Sequence, residues 1–476
     1  MSDIRVTPSA PGWAELLSGG NLVRSLALCG GVVLHAINLY ISTTILPSVV
    51  REIGGIDYYA WNTTLFVIAS ILGAALASPV LTQAGPRVGY LLAVTVFVIG
   101  TLICAAAQTM PWMLAGRFVQ GFGGGILLAL AYPMVRRIFP ERLWPRALAL
   151  LSSMWGIATL LGPAVGGVFA EIGMWRGAFL FLVPAAGLVA LAALMVLPKQ
   201  ERDRSQSEPL PLLQLALLTL AVFAASWGGV GVSLLSSILG IGAALLLVVL
   251  TIAVERISPR RLLPRATFRL PSALGSLYAA SALLAVTVTC TEIFLPLFLQ
   301  ELHGRSPLQA GYIAAVMSAG WTIAAVLTSG FASDRRVMVV RLGPVLSLIS
   351  MVTLIIVMPW SGAAWAWLPL VLISAALLIG GAGVGIAYPQ LSAMVLRAAP
   401  AGEEDNAASS IMTVQLCATA FGAALAGLSV NLAGAGGGDI ANAARWLFVT
   451  VAAAPLLCIV VLRSASFRRA EEAQAG

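Results

Sequence analysis

PLLQLALLTLAVFAASWGGVGVSLLSSILGIGAALLLVVLTIAV, residues 211–254, runs for 44 positions without one Lys, Arg, Asp or Glu. A helix rises 1.5 Å per residue and needs about twenty apolar residues to cross roughly 30 Å of hydrocarbon, so this stretch has the length of two crossings and a turn. A second uncharged run, Leu342 to Leu396, is longer still. A membrane β-barrel would show alternating segments of about ten residues, which is not the pattern here.

The whole chain agrees with these two runs. Of its 476 residues 59% are hydrophobic and 10% charged, with a mean hydropathy of +0.96, whereas soluble domains carry roughly 25% charge. The 27 basic and 19 acidic residues cannot coat a 49.4 kDa globule, so most of the outer surface must face lipid. A water-soluble globule is excluded, and the fold class is an all-α polytopic membrane protein.

Fourteen apolar segments of spanning length follow one another, at 25–49, 58–82, 88–108, 112–135, 147–170, 177–197, 211–229, 233–254, 272–299, 307–332, 342–360, 364–396, 406–433 and 446–462. The net charge of +8 is distributed in the gaps between them. With the N-terminus inside, 22 of the 27 Lys and Arg fall in cytoplasmic segments. Four, Arg51, Arg176, Arg305 and Arg445, fall outside, and Arg117 lies within a span. This bias fits the positive-inside rule and an even number of crossings, with both termini cytoplasmic. No basic stripe with interleaved aromatics is present, which argues against a nucleic-acid partner. Cys29, Cys104, Cys290, Cys417 and Cys458 all sit in apolar runs, without metal-ligand or disulfide spacing. Residues 1–21 lack the basic start and small-residue cleavage site of a removable leader.

The larger charged loops bracket residues 211–254, which divides the chain into a cytoplasmic segment 1–24, a six-span half 25–198, a linker with two further spans 199–270, a second six-span half 271–462 and a cytoplasmic tail 463–476. Similar loops join the second and third spans of each half, ending in Gln83-Ala84-Gly85-Pro86-Arg87 and in Gly330-Phe331-Ala332-Ser333-Asp334-Arg335. Paired six-span halves are a common transporter architecture. No Walker motif occurs, so there is no ATPase module.

Ala115-Gly116-Arg117-Phe118-Val119-Gln120-Gly121-Phe122-Gly123 in span four, Gly162-Pro163-Ala164-Val165-Gly166-Gly167 in span five and Trp175-Arg176 before span six now carry a resemblance. With the loop residues Gly330, Asp334 and Arg335, and the eroded copy Gly85 and Arg87, the sequence resembles the major facilitator superfamily, and within it the fourteen-span drug:proton antiporters. The resemblance covers nearly the whole chain. It implies two six-helix bundles plus two extra spans between them, 14 transmembrane helices in all, and a central cavity lined by spans one, four, nine and twelve. It further implies that Gly162, Pro163, Gly166 and Gly167 form the antiporter motif that seals the cavity. Physically, glycines clear one helix face for close approach and a proline permits a bend, which also suits generic packing. Arg87, Gly330, Asp334 and Arg335 would form the cytoplasmic gate, beside the plainer reading of a positive-inside loop.

Ionisable groups at membrane depth are costly, at least about 2.5–3.5 kcal/mol on insertion scales, and are functional candidates for that reason. Arg117 and Glu292 lie about six and eight residues from the outer ends of their spans, roughly 9–12 Å deep on the same side. His35 and Asn38 share one face of span one at i, i+3 spacing. The sharpest expectation is that Glu292 carries the coupled proton, with Arg117 stabilising its charged form and His35 as a further candidate. The competing reading is a structural ion pair or a solvated vestibule residue. Where the fourteen-span antiporters commonly have an acidic residue in span one, this chain has Asn38, which cannot titrate. Candidate substrate-cavity residues are Asn38, Tyr40, Gln120, Phe294, Trp321, Tyr388, Gln390 and Gln415; apolar and aromatic walls with sparse polar groups suit lipophilic or amphipathic molecules.

The expected function is proton-coupled efflux of such compounds by alternating access, with the proton gradient as energy source and no cofactor or metal. The expected partners are a small-molecule substrate, the proton and the bilayer, with the chain monomeric in a plasma or inner membrane. Export of a specific metabolite on the same fold is the alternative. A channel lacks its rings of pore-lining polar residues, and an enzyme lacks a convergent set of His and carboxylates.

Overall fold

The computed structural model describes residues 13–140, 143–198, 211–228, 234–258, 261–264, 267, 272–328, 333–360, 367–400, 403–435, 439–464 and 467. These form helices and short connections, with no strand among the described residues. In chain order the helices are α1 (Trp13–Leu16), α2 (Gly19–Ile53), α3 (Tyr59–Ala105), α4 (Met110–Ile138), α5 (Trp144–Glu171), α6 (Trp175–Val196) and α7 (Leu212–Gly228). They continue as α8 (Leu234–Ile257), α9 (Ala273–His303), α10 (Pro307–Thr328), α11 (Ser333–Val357), α12 (Trp367–Ala398), α13 (Glu404–Ala435) and α14 (Ile440–Arg463).

Helix α2 is span one, and α3 carries spans two and three. Gly85 breaks the regular dihedrals inside α3 with φ 77° and ψ 168°, a conformation open to glycine because it has no Cβ. From α4 onward helix and span numbers coincide. Among the described residues thirteen stretches are long and apolar enough to cross a membrane, while α7, at 17 residues, is shorter. Immediately before span one, α1 buries Leu16, whose carbonyl accepts a hydrogen bond from Ser25 Oγ.

Local chemistry fixes several helix ends. Ser272 Oγ accepts from the Gly275 N–H at the start of α9, and Asp439 Oδ1 accepts from the Asn442 N–H at the start of α14. Each satisfies one of the main-chain donors that a helix start leaves without an intrahelical partner. Gly304 ends α9 in the left-handed region at φ 59°.

Helices α2 to α6 pack as one six-span bundle and α9 to α14 as a second. Between them in sequence, α7 and α8 form a hairpin whose backbones meet at Gly228 and Gly240. The hairpin docks through α7, where Trp61 Nε1 donates to the Ser226 carbonyl and the Trp61 ring meets Phe223. Leu235, Ile238, Leu239, Leu245, Leu246 and Val249 of α8 are all more than half exposed, the surface expected of a lipid-facing helix.

Several contacts join the bundles at one end of the molecule, the end carrying the α2–α3 and α9–α10 connections. Arg51 donates to Gln300 Oε1 at 3.1 Å and pairs with Glu301 at 3.5 Å, and Asn431 Nδ2 donates to the Asp57 carbonyl at 2.9 Å. Below them the Tyr59 and Phe294 rings stack at 4.8 Å. The Arg51–Glu301 pair is exposed, and such pairs contribute only about 0–1 kcal/mol. Its value is diagnostic. Cysteines at positions 51 and 301 in a background free of native cysteine are expected to be joined by a short, reducible bis-thiol linker and then to block transport until the linker is reduced. Transport that proceeds unchanged through the cross-linked protein would show that this end need not open.

Candidate transport site

Glu292 lies in the interior of α9 and is half-buried. Its Oε1 accepts a hydrogen bond from Ser318 Oγ of α10 at 2.7 Å. Ser318 Oγ is in turn 3.4 Å from the Tyr40 hydroxyl of α2. A chain of three side chains thus runs from a carboxylate of the second bundle to a phenol of the first.

The position of Tyr40 depends on α5. A Cβ at Gly162 would collide with the Tyr40 Cβ, so glycine there is what lets α2 and α5 come this close. One turn further along, Gly167 faces the Leu308 backbone of α10 in the same way, and Pro163 touches Gly311. The four residues of the expected antiporter motif therefore lie in the helix wall between Tyr40 and the second bundle. Gly167→Val would overpack this contact at a cost of about 1–3 kcal/mol, roughly a 5- to 150-fold shift away from the joined arrangement. Faster labelling of a cysteine at position 308 is the readout, and unchanged labelling would refute the assignment.

Arg117 belongs to a different network. It is fully buried, donating from Nη1 to Gln120 Oε1 at 2.7 Å and from Nε to the Asn62 carbonyl at 3.3 Å, and its Cζ stands 4.1 Å from the centre of the Phe66 ring. Gln120 Nε2 continues to Thr101 Oγ1 at 2.8 Å, and Ser42 Oγ donates to Asn62 Oδ1 at 2.8 Å. Helices α2, α3 and α4 are tied together by these bonds, all within the first bundle. The structure does not bring Arg117 and Glu292 into an ion pair. Gln120, a candidate cavity residue, is fully buried and serves Arg117.

His35 is buried against Phe66, with ring centres 5.1 Å apart, and against Trp155 at 6.1 Å. Its Nδ1, both amide atoms of Asn38 and Nη2 of Arg117 are buried without a hydrogen-bond partner. His35, Asn38 and Ser42 follow at i, i+3 and i+7 on one face of α2. Since His35 meets Phe66 and Ser42 meets Asn62, Asn38 lies level with the guanidinium that bridges these same two α3 residues.

The remaining cavity candidates fall into two groups. Trp321 and Tyr388 face each other with ring centres 5.4 Å apart, and Tyr388 donates to Gln415 Oε1 at 3.2 Å. Trp321 and Gln415 are half-buried. By contrast Phe294 is fully packed between Tyr59 and Phe298, and buried Gln390 donates to the Thr328 carbonyl. Of the expected gate, Arg87 Nε donates to the Leu197 carbonyl at 3.0 Å within the first bundle. Gly330 and the side chains of Asp334 and Arg335 lie outside the described residues. Sequence reading missed Ser318, Asn62, Phe66 and Thr101 as partners: none stands in a motif, and each acts through a residue far from it in the chain.

Comparison with known proteins adds to this geometry. The sequence profile of the Major Facilitator Superfamily matches residues 28–376. A Mycobacterium tuberculosis protein named "Probable multidrug-efflux transporter" is 36% identical over 449 residues, 92% of this chain and 93% of its own. "Multidrug resistance protein 3" of Bacillus subtilis is 25% identical over 380 residues, covering 77% of this chain and 71% of its own. Among solved structures, a bacterial homologue of the human lysosomal transporter Spinster, in an inward-facing and unoccupied conformation, superposes with TM-score 0.64 at 17% identity, covering 96% of this chain and 98% of its own. A peptide transporter with bound sulfate gives TM-score 0.69 at 13% identity, covering 98% of each chain. The chain belongs to the major facilitator superfamily, and is a multi-pass membrane transporter rather than an enzyme.

Proposed function

We propose that this protein exports lipophilic or amphipathic small molecules in exchange for protons by alternating access, with Glu292 as the carboxylate that carries the proton. The observation that carries this reading is the placement of Glu292: half-buried in the interior of a span, bonded to Ser318, at the place where Tyr40 of the other bundle arrives. A group whose charge changes between two bundles can bias the equilibrium between their two arrangements by a few kcal/mol. The 36%-identical relative named for multidrug efflux supports the substrate class.

The distribution of basic residues supports cytoplasmic termini, and with them a plasma or inner membrane. In that orientation the end joined by Arg51, Gln300, Glu301 and Asn431 is the outer one, and the arrangement described here is closed on the outside. No cofactor enters the cycle; the proton gradient supplies the energy, and a single chain contains the whole site. Glycines Gly162, Gly166 and Gly167 close the outer seam around Tyr40 and so favour exchange over leak.

The test is a vesicle assay with the purified transporter and an imposed ΔpH. Amphipathic cations are expected to dissipate the gradient in a protein-dependent manner. A gradient indifferent to every such compound, yet discharged by a single metabolite, would favour a dedicated metabolite exporter.

A further inference from the structure

We propose that Ser318 and Tyr40 are the positioning residues that convert loss of the proton from Glu292 into closure of the outer seam, so that the deprotonated, substrate-free carrier is held closed on the outside. The inference rests on Glu292 as the proton carrier and adds the step by which its charge reaches the other bundle.

A hydroxyl has one proton to give and lone pairs with which to accept, whereas an ionised carboxylate only accepts. With Glu292 ionised, the Ser318 proton is committed to Oε1, as the 2.7 Å separation befits, and the Ser318 oxygen is left to accept from the Tyr40 hydroxyl 3.4 Å away. The chain then runs in one direction, Tyr40 to Ser318 to Glu292, and each bond polarises the next. When a proton from water forms an O–H bond on Glu292, the charge at the end of the chain is gone. Hydrogen bonds to a neutral partner are roughly half as strong as those to an ion, and the Tyr40 bond loses its polarisation with the rest. Tyr40 belongs to α2, while Ser318 and Glu292 belong to α10 and α9, so the bond that strengthens or weakens is the one between bundles.

Other groups around α9 do not replace this link. The titratable side chains on the helices packed against it in the membrane include Tyr40 and His35 on α2, the latter turned to Phe66 and Trp155, Tyr59 on α3, Tyr312 on α10, Tyr388 on α12, Cys417 on α13 and Cys458 on α14, with Cys290 on α9 itself. Tyr59 stacks on Phe294, Tyr388 donates to Gln415, Cys458 points to the Ala280 carbonyl and Cys290 to the Gly422 carbonyl. Tyr40 is the one within electrostatic reach of Glu292, and among the described residues no charged side chain joins it. A cationic substrate arriving at Glu292 would neutralise the carboxylate as a proton does and release the seam in the same way. The empty deprotonated carrier, with neither, stays closed on the outside.

The experiment uses the full-length transporter in lipid nanodiscs, spin-labelled at positions 174 and 446 on the two bundles, with the inter-label distance followed from acid to alkaline pH. The wild type is expected to move towards the short, outer-closed distance as pH rises. Tyr40→Phe and Ser318→Ala should each lose that pH dependence, and Ser318→Thr, which keeps the hydroxyl, should restore it. Retention of the wild-type pH profile in both Tyr40→Phe and Ser318→Ala overturns the proposal, and using two positions guards against one variant failing to fold. If Glu292→Gln abolishes ΔpH-driven export while those variants keep the wild-type profile, the link alone is wrong. If Glu292→Gln couples normally, the proton-carrier reading falls and the link with it.

Discussion

Glu292→Gln is expected to reach the membrane in normal amount and to lose uphill export. The amide keeps the shape of the carboxyl and an oxygen that can accept from Ser318 Oγ, so the contact persists with the weaker strength of the protonated state and the packing of α9 against α10 is kept. What disappears is the capacity to gain and lose a proton. With one proton exchanged per substrate, each unit of ΔpH sustains a concentration ratio of about tenfold, or about 1.4 kcal/mol, and the variant forfeits it. Downhill movement of substrate through the same cavity should persist, because alternation itself does not need the proton. The measurement is the steady-state substrate ratio across vesicles with and without ΔpH. A ratio that still follows ΔpH in the variant would place the coupled proton elsewhere.

Arg117→Ala is expected to act in another way, by lowering the amount of folded protein. Removing the guanidinium leaves buried Gln120 Oε1 and the Asn62 carbonyl without their donor and opens a void beside Phe66, a loss of roughly 2–5 kcal/mol. Lysine is no substitute, since a single ammonium on a flexible stem cannot hold two directions and a ring face together. The neighbouring orphans suggest the opposite change. Asn38 lies level with the guanidinium, and its amide atoms and Arg117 Nη2 all lack partners. Asn38→Asp is expected to add a charge-assisted interaction with Arg117, net of the cost of burying the carboxylate, that vanishes when Arg117 is also replaced. Thermal unfolding of the two single variants and the double variant in detergent measures this coupling. An additive cycle would mean that the two side chains do not meet.

Much of the architecture was legible because lipid imposes a crude rule. Uncharged runs such as 342–396 announce spans, and the loops between them announce sidedness. Gly85 illustrates what that rule leaves out: hydropathy separates spans two and three, but does not show that the chain turns between them with that single residue departing from helical dihedrals. The candidate site was legible as a short list and not as a constellation. Arg117 and Glu292 were expected to meet because both lie at similar depth. Depth follows from counting residues along a helix, but the direction in which each side chain points around the helix axis is set by neighbours. Gly162 against Tyr40, Phe66 beneath Arg117 and Ser318 beside Glu292 settle those directions, and each contact joins segments far apart in sequence. Tyr40 was named for its aromatic ring; its hydroxyl is what reaches across.

The α7–α8 hairpin has a different kind of consequence. Helix α8 packs chiefly on α7 and turns most of its large side chains outward, so little in its surroundings distinguishes Leu245 from an isoleucine or Val249 from a leucine. Its outer face stores an average rather than a message. Shuffling those outward positions among aliphatic residues should be silent, while the same shuffle around Tyr40 or Arg117 should not. The most conspicuous run of letters in the chain is thus among its least informative, and the specificity of the molecule is written in the few polar atoms that interrupt the rest.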